Sequence, residues 1–173
     1  VPGTVGGALV MNAGTRELEI GQLVQSADCL ETDGTVRTIP RRDIEFTYRS
    51  SSLTEKWICS ARLKLHPGER AEIQRNIQQF LAYRLKTQPV ASQNVGSVFR
   101  NPPGNFAGQL IEKAGLKGLR IGNAQVSEKH ANFIINLGGA AAHDFLTLVT
   151  QIQQTVKEKF NIMLEPEFKV LGE

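Results

Sequence analysis

Apolar and polar positions along the chain recur with two periods, and each change of period marks an element. Val24, Ala27 and Leu30 precede Asp33-Gly34, and Val36 and Ile39 come after it. That order predicts a hairpin over 22–39, since Asp-Gly between apolar runs is a tight-turn signal. Arg41 to Glu45 reads as a short helical turn. From Trp57 to Leu65 the pattern has period two, with Ile58, Ser60, Arg62 and Lys64 against Cys59, Ala61, Leu63 and Leu65, which predicts a strand closed by Pro67-Gly68. Ile73, Ile77, Phe80 and Leu81 return at helical spacing and predict a helix that ends before Pro89. The stretch Thr87 to Asn94 is polar and rich in breakers, a candidate boundary between domains at 1–88 and 89–173.

Past that boundary, Phe106, Leu110, Ile111 and Ala114 predict a short helix stopped by Gly115. Ala131 to Leu137 is a mostly apolar run consistent with a buried strand. Gly138-Gly139 then turns the chain into the longest helix, with Phe145, Leu148, Val149, Ile152, Val156 and Phe160 as one stripe and Asn161 as a left-handed cap. Met163 to Leu171 reads as a last strand, which Pro166 confines to an edge or a bulge. The fold class expected is α+β with two domains.

Composition narrows the classes of function. The chain has 173 residues, enough for one sizeable core or two small ones. Net charge is +3, and the 20 Lys and Arg are scattered, so nucleic acid is not the expected partner. No apolar run approaches the ~20 residues of a membrane helix, and no signal peptide is read at the start. Cys29 and Cys59 lie in strand-like stretches without metal-ligand spacing, so both are expected to be reduced, half-buried thiols of a cytoplasmic protein that holds no metal. The chain starts at Val1, inside a motif and without Met, and reads as the back part of something longer.

Four stretches carry candidate chemistry. Val1-Pro2-Gly3-Thr4-Val5-Gly6-Gly7-Ala8, then Met11-Asn12-Ala13-Gly14, has glycines dense enough for backbone N–H groups to approach an anion. A helix starting at Gly6 or Gly7 would point its positive end at that anion. The stretch suits a phosphate or flavin cradle, or a plain glycine-rich connection. Tyr48-Arg49 lines an anion site or is a surface Arg stacked on a Tyr. Gly96-Ser97-Val98-Phe99-Arg100-Asn101-Pro102-Pro103-Gly104 places a hydroxyl, a guanidinium and a carboxamide beside a rigid turn. If extended, it sets Ser97 and Phe99 on one face and Val98 and Arg100 on the other. Ser97 is then either a preset proton donor or a loop Ser bonding its own backbone. Glu165 and Glu167 share a face of the last strand, as a functional carboxylate pair or a solvated acidic edge.

Together these stretches resemble the UDP-N-acetylenolpyruvoylglucosamine reductase (UDP-N-acetylmuramate dehydrogenase) family, in the class without an inserted substrate-clamping loop. Ala107-Gly108-Gln109-Leu110-Ile111-Glu112, Ser127-Glu128-Lys129-His130-Ala131-Asn132-Phe133 and Leu164-Glu165-Pro166-Glu167 add to the likeness. The resemblance implies the remainder of a vanillyl-alcohol-oxidase-like FAD-binding domain, then an α/β substrate-binding domain. It implies a monomeric, cytoplasmic flavoenzyme of peptidoglycan synthesis, with FAD as cofactor, NADPH as hydride donor and an enolpyruvyl ether of a UDP-sugar as substrate. Arg49, Ser97 and Glu167 are its implied catalytic residues. Pro2, Gly3, Thr4, Gly6, Gly7, Asn12 and Gly14 are implied on the flavin, and Asn101, Lys129 and His130 on the substrate; His130, beside an apolar strand, is otherwise a core histidine. The family's segment ahead of the Pro-Gly motif is not in this sequence, and Thr15-Arg16-Glu17-Leu18 departs from the aromatic and glycines that relatives often have. A truncated, inactive flavin- or nucleotide-binding fragment is the competing reading.

Overall fold

The computed structural model describes residues 3–15 and 18–171. Helices and antiparallel sheets are both present, an α+β fold, and the chain divides into two compact units, Val1–Glu69 and Arg70–Glu173.

The first unit opens with helix α1 (Val5–Val10), one residue ahead of the earliest expected start. Thr4 caps it by accepting the Gly7 N–H at 3.1 Å. Strands β1 (Val24–Leu30) and β2 (Val36–Pro40) form the expected hairpin, with Gly34 at φ +84° in its turn. A 3-10 turn at Arg41–Asp43 leads to a small hairpin of β3 (Phe46–Thr47) and β4 (Ser50–Ser51). Strand β5 (Trp57–Leu63) completes a three-stranded antiparallel sheet in the order β2-β1-β5. Its strict alternation fails. Asp28 pairs with Ser60 but Cys29 pairs with Ile58, so Cys59 is the extra residue of a bulge. The bulge resets the phase, and Ile58, Ala61 and Leu63 all pack on the core of Leu9, Val24, Ala27, Cys29, Ile44 and Leu53. Cys29 is therefore fully buried, where burial raises its thiol pKa, and Cys59 is exposed; neither is half-buried.

The second unit begins with helix α2 (Arg70–Thr87), whereas the boundary expected at residue 88 places this helix in the first domain. The Lys129 ammonium bonds the Leu85 carbonyl at 2.6 Å, and a cavity of about 310 Å³ is lined by Leu85, Pro89, Val90, Gln125, Lys129 and Ile135. Leu85, near the end of the helix, thus meets the C-terminal part of the chain. A four-stranded antiparallel sheet, ordered β6-β9-β8-β7, comes from β6 (Gln93–Asn94), β7 (Arg120–Ile121), β8 (Ala124–Val126) and β9 (Ile134–Asn136). Helices α3 (Ala107–Lys113) and α4 (Ala142–Phe160) pack on its core, α4 through Leu148, Val149, Ile152 and Val156. Asn161 ends α4 at φ +55°, the left-handed cap expected.

Met163 to Leu171 is not a strand. Among the described residues it makes one bridge, Phe99 to Pro166, flanked by backbone bonds of Glu165 and Glu167, and Pro166 has no N–H to donate on the far side. No described helix is long and apolar enough to cross a membrane, and no described group of His, Cys, Asp or Glu could hold a metal ion.

Candidate active site

In the second unit, the segment Val98–Arg100 runs between two neighbours. On one side the Arg100 N–H donates to the Glu165 carbonyl at 2.9 Å and the Glu167 N–H donates to the Val98 carbonyl at 2.8 Å. On the other side the Val98 N–H meets the Asn132 carbonyl at 2.9 Å, and the Asn132 carboxamide bonds both backbone groups of Phe99. Held from both sides, Val98 and Phe99 are each about 1% exposed, so both belong to the core. The consequence for Ser97 is positional. It is the residue next to Val98, and Glu167 lies directly across from Val98, so two residues far apart in sequence share one scaffold. Ser97 is exposed, and no hydrogen bond engages its hydroxyl among the described residues. Glu167 is half-buried and Glu165 exposed, so the two carboxylates do not share an environment.

The other expected substrate residues surround this scaffold in different ways. Asn101 is exposed, but its side-chain oxygen accepts the Ala107 N–H at 3.0 Å and so caps α3. Lys129 is exposed at the rim of the cavity described above. His130 is half-buried, packs edge-on against Phe133, and accepts the Asn132 N–H on Nδ1 at 3.2 Å. That bond leaves the proton of the neutral ring on Nε2. Burial lowers the His130 pKa first; its own backbone bonding opposes this, Lys117 adds to it and Glu112 opposes it. A Cβ on Gly108 would stand 3.0 Å from His130 Cε1, so the ring crosses α3 closely at this glycine.

In the first unit, Arg49 sits in the two-residue turn between β3 and β4 at φ +55°, a left-handed conformation that is costly for a residue with a side chain. Its guanidinium bonds the Gly14 carbonyl at 3.4 Å, lies 3.9 Å from Glu19 Oε1, and covers the Tyr48 ring at 5.0 Å. The stacked Arg and the anion-site Arg are thus compatible: the tyrosine face and Glu19 aim a partly exposed fork. Glu19, a polar residue between Leu18 and Ile20, carries no signal in the sequence.

The glycine-rich stretch divides in two. Gly3, at φ +128°, Thr4 and Gly7 are exposed, Gly6 is half-buried, and a Cβ at Gly3 meets nothing within 4 Å. Asn12 and Gly14 face inward. Asn12 is about 1% exposed; its Nδ2 donates to Glu19 Oε2 at 2.7 Å and to the Thr47 carbonyl at 3.0 Å, and its Oδ1 accepts the Gly21 N–H at 3.1 Å. Gly14 bridges Glu19, and a Cβ there would lie 2.6 Å from Glu19 Cα. Pro2 lies outside the described residues.

This α+β chain, with a hydroxyl and a carboxylate set on paired segments of its second unit, is similar to known proteins. Residues 88–171 match the family model described as UDP-N-acetylenolpyruvoylglucosamine reductase, C-terminal domain. The chain is 47% identical over 174 residues to UDP-N-acetylenolpyruvoylglucosamine reductase 2 of Symbiobacterium thermophilum, covering 99% of this chain and 56% of that protein. It is 47% identical over 176 residues to the Nostoc sp. enzyme, UDP-N-acetylenolpyruvoylglucosamine reductase, covering 100% of this chain and 53% of that protein. The crystal structure of UDP-N-acetylenolpyruvylglucosamine reductase from Thermus caldophilus superposes with a TM-score of 0.87 at 39% identity, covering 99% of this chain and 62% of that one. Over nearly its whole length the chain is similar to UDP-N-acetylenolpyruvoylglucosamine reductases, and its residues 88–171 match that family's C-terminal domain. It spans a little over half the length of the curated relatives it matches.

Proposed function

We propose that this chain serves a cytoplasmic, monomeric flavoenzyme of peptidoglycan precursor synthesis that reduces UDP-N-acetyl-3-O-(1-carboxyvinyl)-glucosamine to UDP-N-acetylmuramate with NADPH. The first unit is the remainder of the FAD-binding domain and the second binds the substrate. The observation that carries the reading is the scaffold that pairs the Ser97 segment with Glu167.

The residues of the first unit fit a flavin in part. Exposed Gly3 and Thr4, with half-buried Gly6, leave backbone open to a phosphate group, while the Gly7 N–H is taken up by the Thr4 hydroxyl and Asn12 and Gly14 fit a supporting role beneath. FAD held there would supply the chemistry of hydride transfer, passing a hydride from NADPH to the methylene carbon of the enolpyruvyl group.

As that C–H bond forms, the carbon–carbon double bond opens and its electron pair moves toward the substrate carboxylate as an enolate. Arg49 has a planar fork matched to a carboxylate, and its cation lowers the energy of the developing charge. Ser97 donates its hydroxyl proton to the carbon next to the carboxylate and is reprotonated from water. Glu167 polarises the enolate and orients the group that receives the proton. Lys129, His130 through its Nε2–H, and the amide hydrogens of Asn101 are donors for the nucleotide portion of the substrate.

The test is direct. The flavin-loaded holoenzyme, given NADPH and the enolpyruvyl nucleotide, is expected to form UDP-N-acetylmuramate, detected by mass, with one NADPH oxidised per product. NADPH oxidation without that product refutes the substrate assignment.

A further inference from the structure

We infer that Asn132 is a positioning residue for Ser97, an assignment that rests on the reading of Ser97 as the proton donor. Asn132 is about 4% exposed, and its carboxamide is taken up by backbone. Its Oδ1 accepts the Phe99 N–H at 2.9 Å while its Nδ2 donates to the Phe99 carbonyl at 2.8 Å. Its own carbonyl accepts the Val98 N–H at 2.9 Å. One residue thus makes three hydrogen bonds to the two residues that come after Ser97.

The reason a side chain is needed there lies across the bridge. Phe99 is opposite Pro166 in a non-hydrogen-bonded pair, so the neighbouring bonds engage Val98 and Arg100 and the backbone groups of Phe99 face away from Pro166. Both backbone groups of Phe99 turn toward Asn132, in a buried place where an unpaired amide is costly. A carboxamide offers a donor and an acceptor in one plane and so takes the part of a missing strand. On the other side of Ser97, Gly96 stands at φ +84°, with its N–H on Asn94 Oδ1 at 2.9 Å. Ser97 is exposed between a glycine and this clamp, so the clamp fixes where its hydroxyl stands relative to Glu167.

The experiment tracks the two half-reactions of the holoenzyme separately by flavin absorbance. Asn132→Ala is expected to slow reoxidation by the enolpyruvyl nucleotide by about 10²-fold, the usual cost of displacing a catalytic group by about 1 Å, while reduction by NADPH keeps its rate. Added to Ser97→Ala it should cost nothing further, because both changes act through one hydroxyl. Asn132→Asp keeps the acceptor, loses the donor, and should show the same selectivity if the alanine variant fails to fold. Ile134→Ala, a cavity in the same core, should lower stability and leave both half-reactions intact. Equal slowing of both half-reactions by Asn132→Ala and Asn132→Asp, or full additivity with Ser97→Ala, overturns the assignment. If Ser97→Ala itself leaves reoxidation unchanged, the reading of Ser97 falls; if Ser97→Ala slows it and Asn132→Ala does not, only the Asn132 assignment falls.

Discussion

Replacing Asn12 with Ala should unfold the first unit before it affects the second. Asn12 occupies φ +45° and is about 1% exposed, with three side-chain hydrogen bonds. Alanine strands the buried Gly21 N–H, at a cost of about 1–3 kcal/mol, and leaves the carbonyl of the exposed Thr47 to water. It also removes the bond to the Glu19 carboxylate, and a left-handed alanine costs ~1–2 kcal/mol more. These contributions share partners and do not add fully, so a net loss of about 3–5 kcal/mol is expected. A small domain has only ~5–15 kcal/mol in total. Trp57, the one tryptophan of the chain, lies on β5 and reports on the first unit. With a urea slope of ~1–1.5 kcal/mol per M for so small a unit, the Trp57 fluorescence midpoint should fall by at least about 2 M, or the unit should be unfolded in buffer. Asn12→Gly, which relieves the backbone but makes none of the bonds, should recover about 1 kcal/mol. An Asn12→Ala protein with an unchanged midpoint that binds FAD more weakly would refute the structural account and make Asn12 a direct flavin ligand.

Gly14→Ala should also destabilise the first unit, by about 1–3 kcal/mol as for overpacking, since the new methyl collides with the Glu19 backbone; a wild-type midpoint contradicts the close approach. Acidification should weaken the second unit through His130. Its folded pKa lies below 6.5, so the unfolded chain takes up the proton first as pH falls; stability drops from pH 6.5 to the lowered folded value and levels off beneath it. Thermal melts of His130→Gln should lose that portion of the pH dependence, and an identical profile contradicts it. Arg49→Lys keeps the charge and loses the fork, so it should slow turnover of the sugar nucleotide more than flavin reduction by NADPH. Equal losses mark Arg49 as structural, acting through Gly14 and Glu19.

Elements with a long period were legible in the sequence. The β1–β2 hairpin and α4 fall where their patterns place them, because a long run samples its period several times and Asp33-Gly34 marks the turn. Strands β6, β7 and β8 were not, since two or three residues cannot display an alternation. The Cys59 bulge was equally invisible: the unbroken pattern from Trp57 to Leu65 reads as a regular strand, and only pairing with β1 shows the extra residue. Helical spacing identified α2, yet Ile73, Ile77, Phe80 and Leu81 remain about half exposed, because a period announces a helix and not what covers it. At the site, residue types and motif likeness selected Ser97 and Glu167. The register of Phe99 with Pro166, which sets them on one scaffold, depends on tertiary pairing that no local pattern encodes. Asn132 did leave a trace, as a polar residue inside the apolar run from Ala131 to Leu137.

The central claim is that Ser97 gives the proton to the substrate carbon, and a half-reaction measurement on Ser97→Ala tests it most directly. The exposed hydroxyl bonds no described group, so its removal leaves the fold intact. Stopped-flow flavin absorbance of the holoenzyme should show reduction by NADPH at close to the original rate. Reoxidation by the enolpyruvyl nucleotide should fall by at least the ~10²–10⁴-fold that general acid catalysis contributes, with part of it restored in Ser97→Cys. Reoxidation of the alanine variant at the original rate would contradict the account and leave Ser97 an ordinary loop residue.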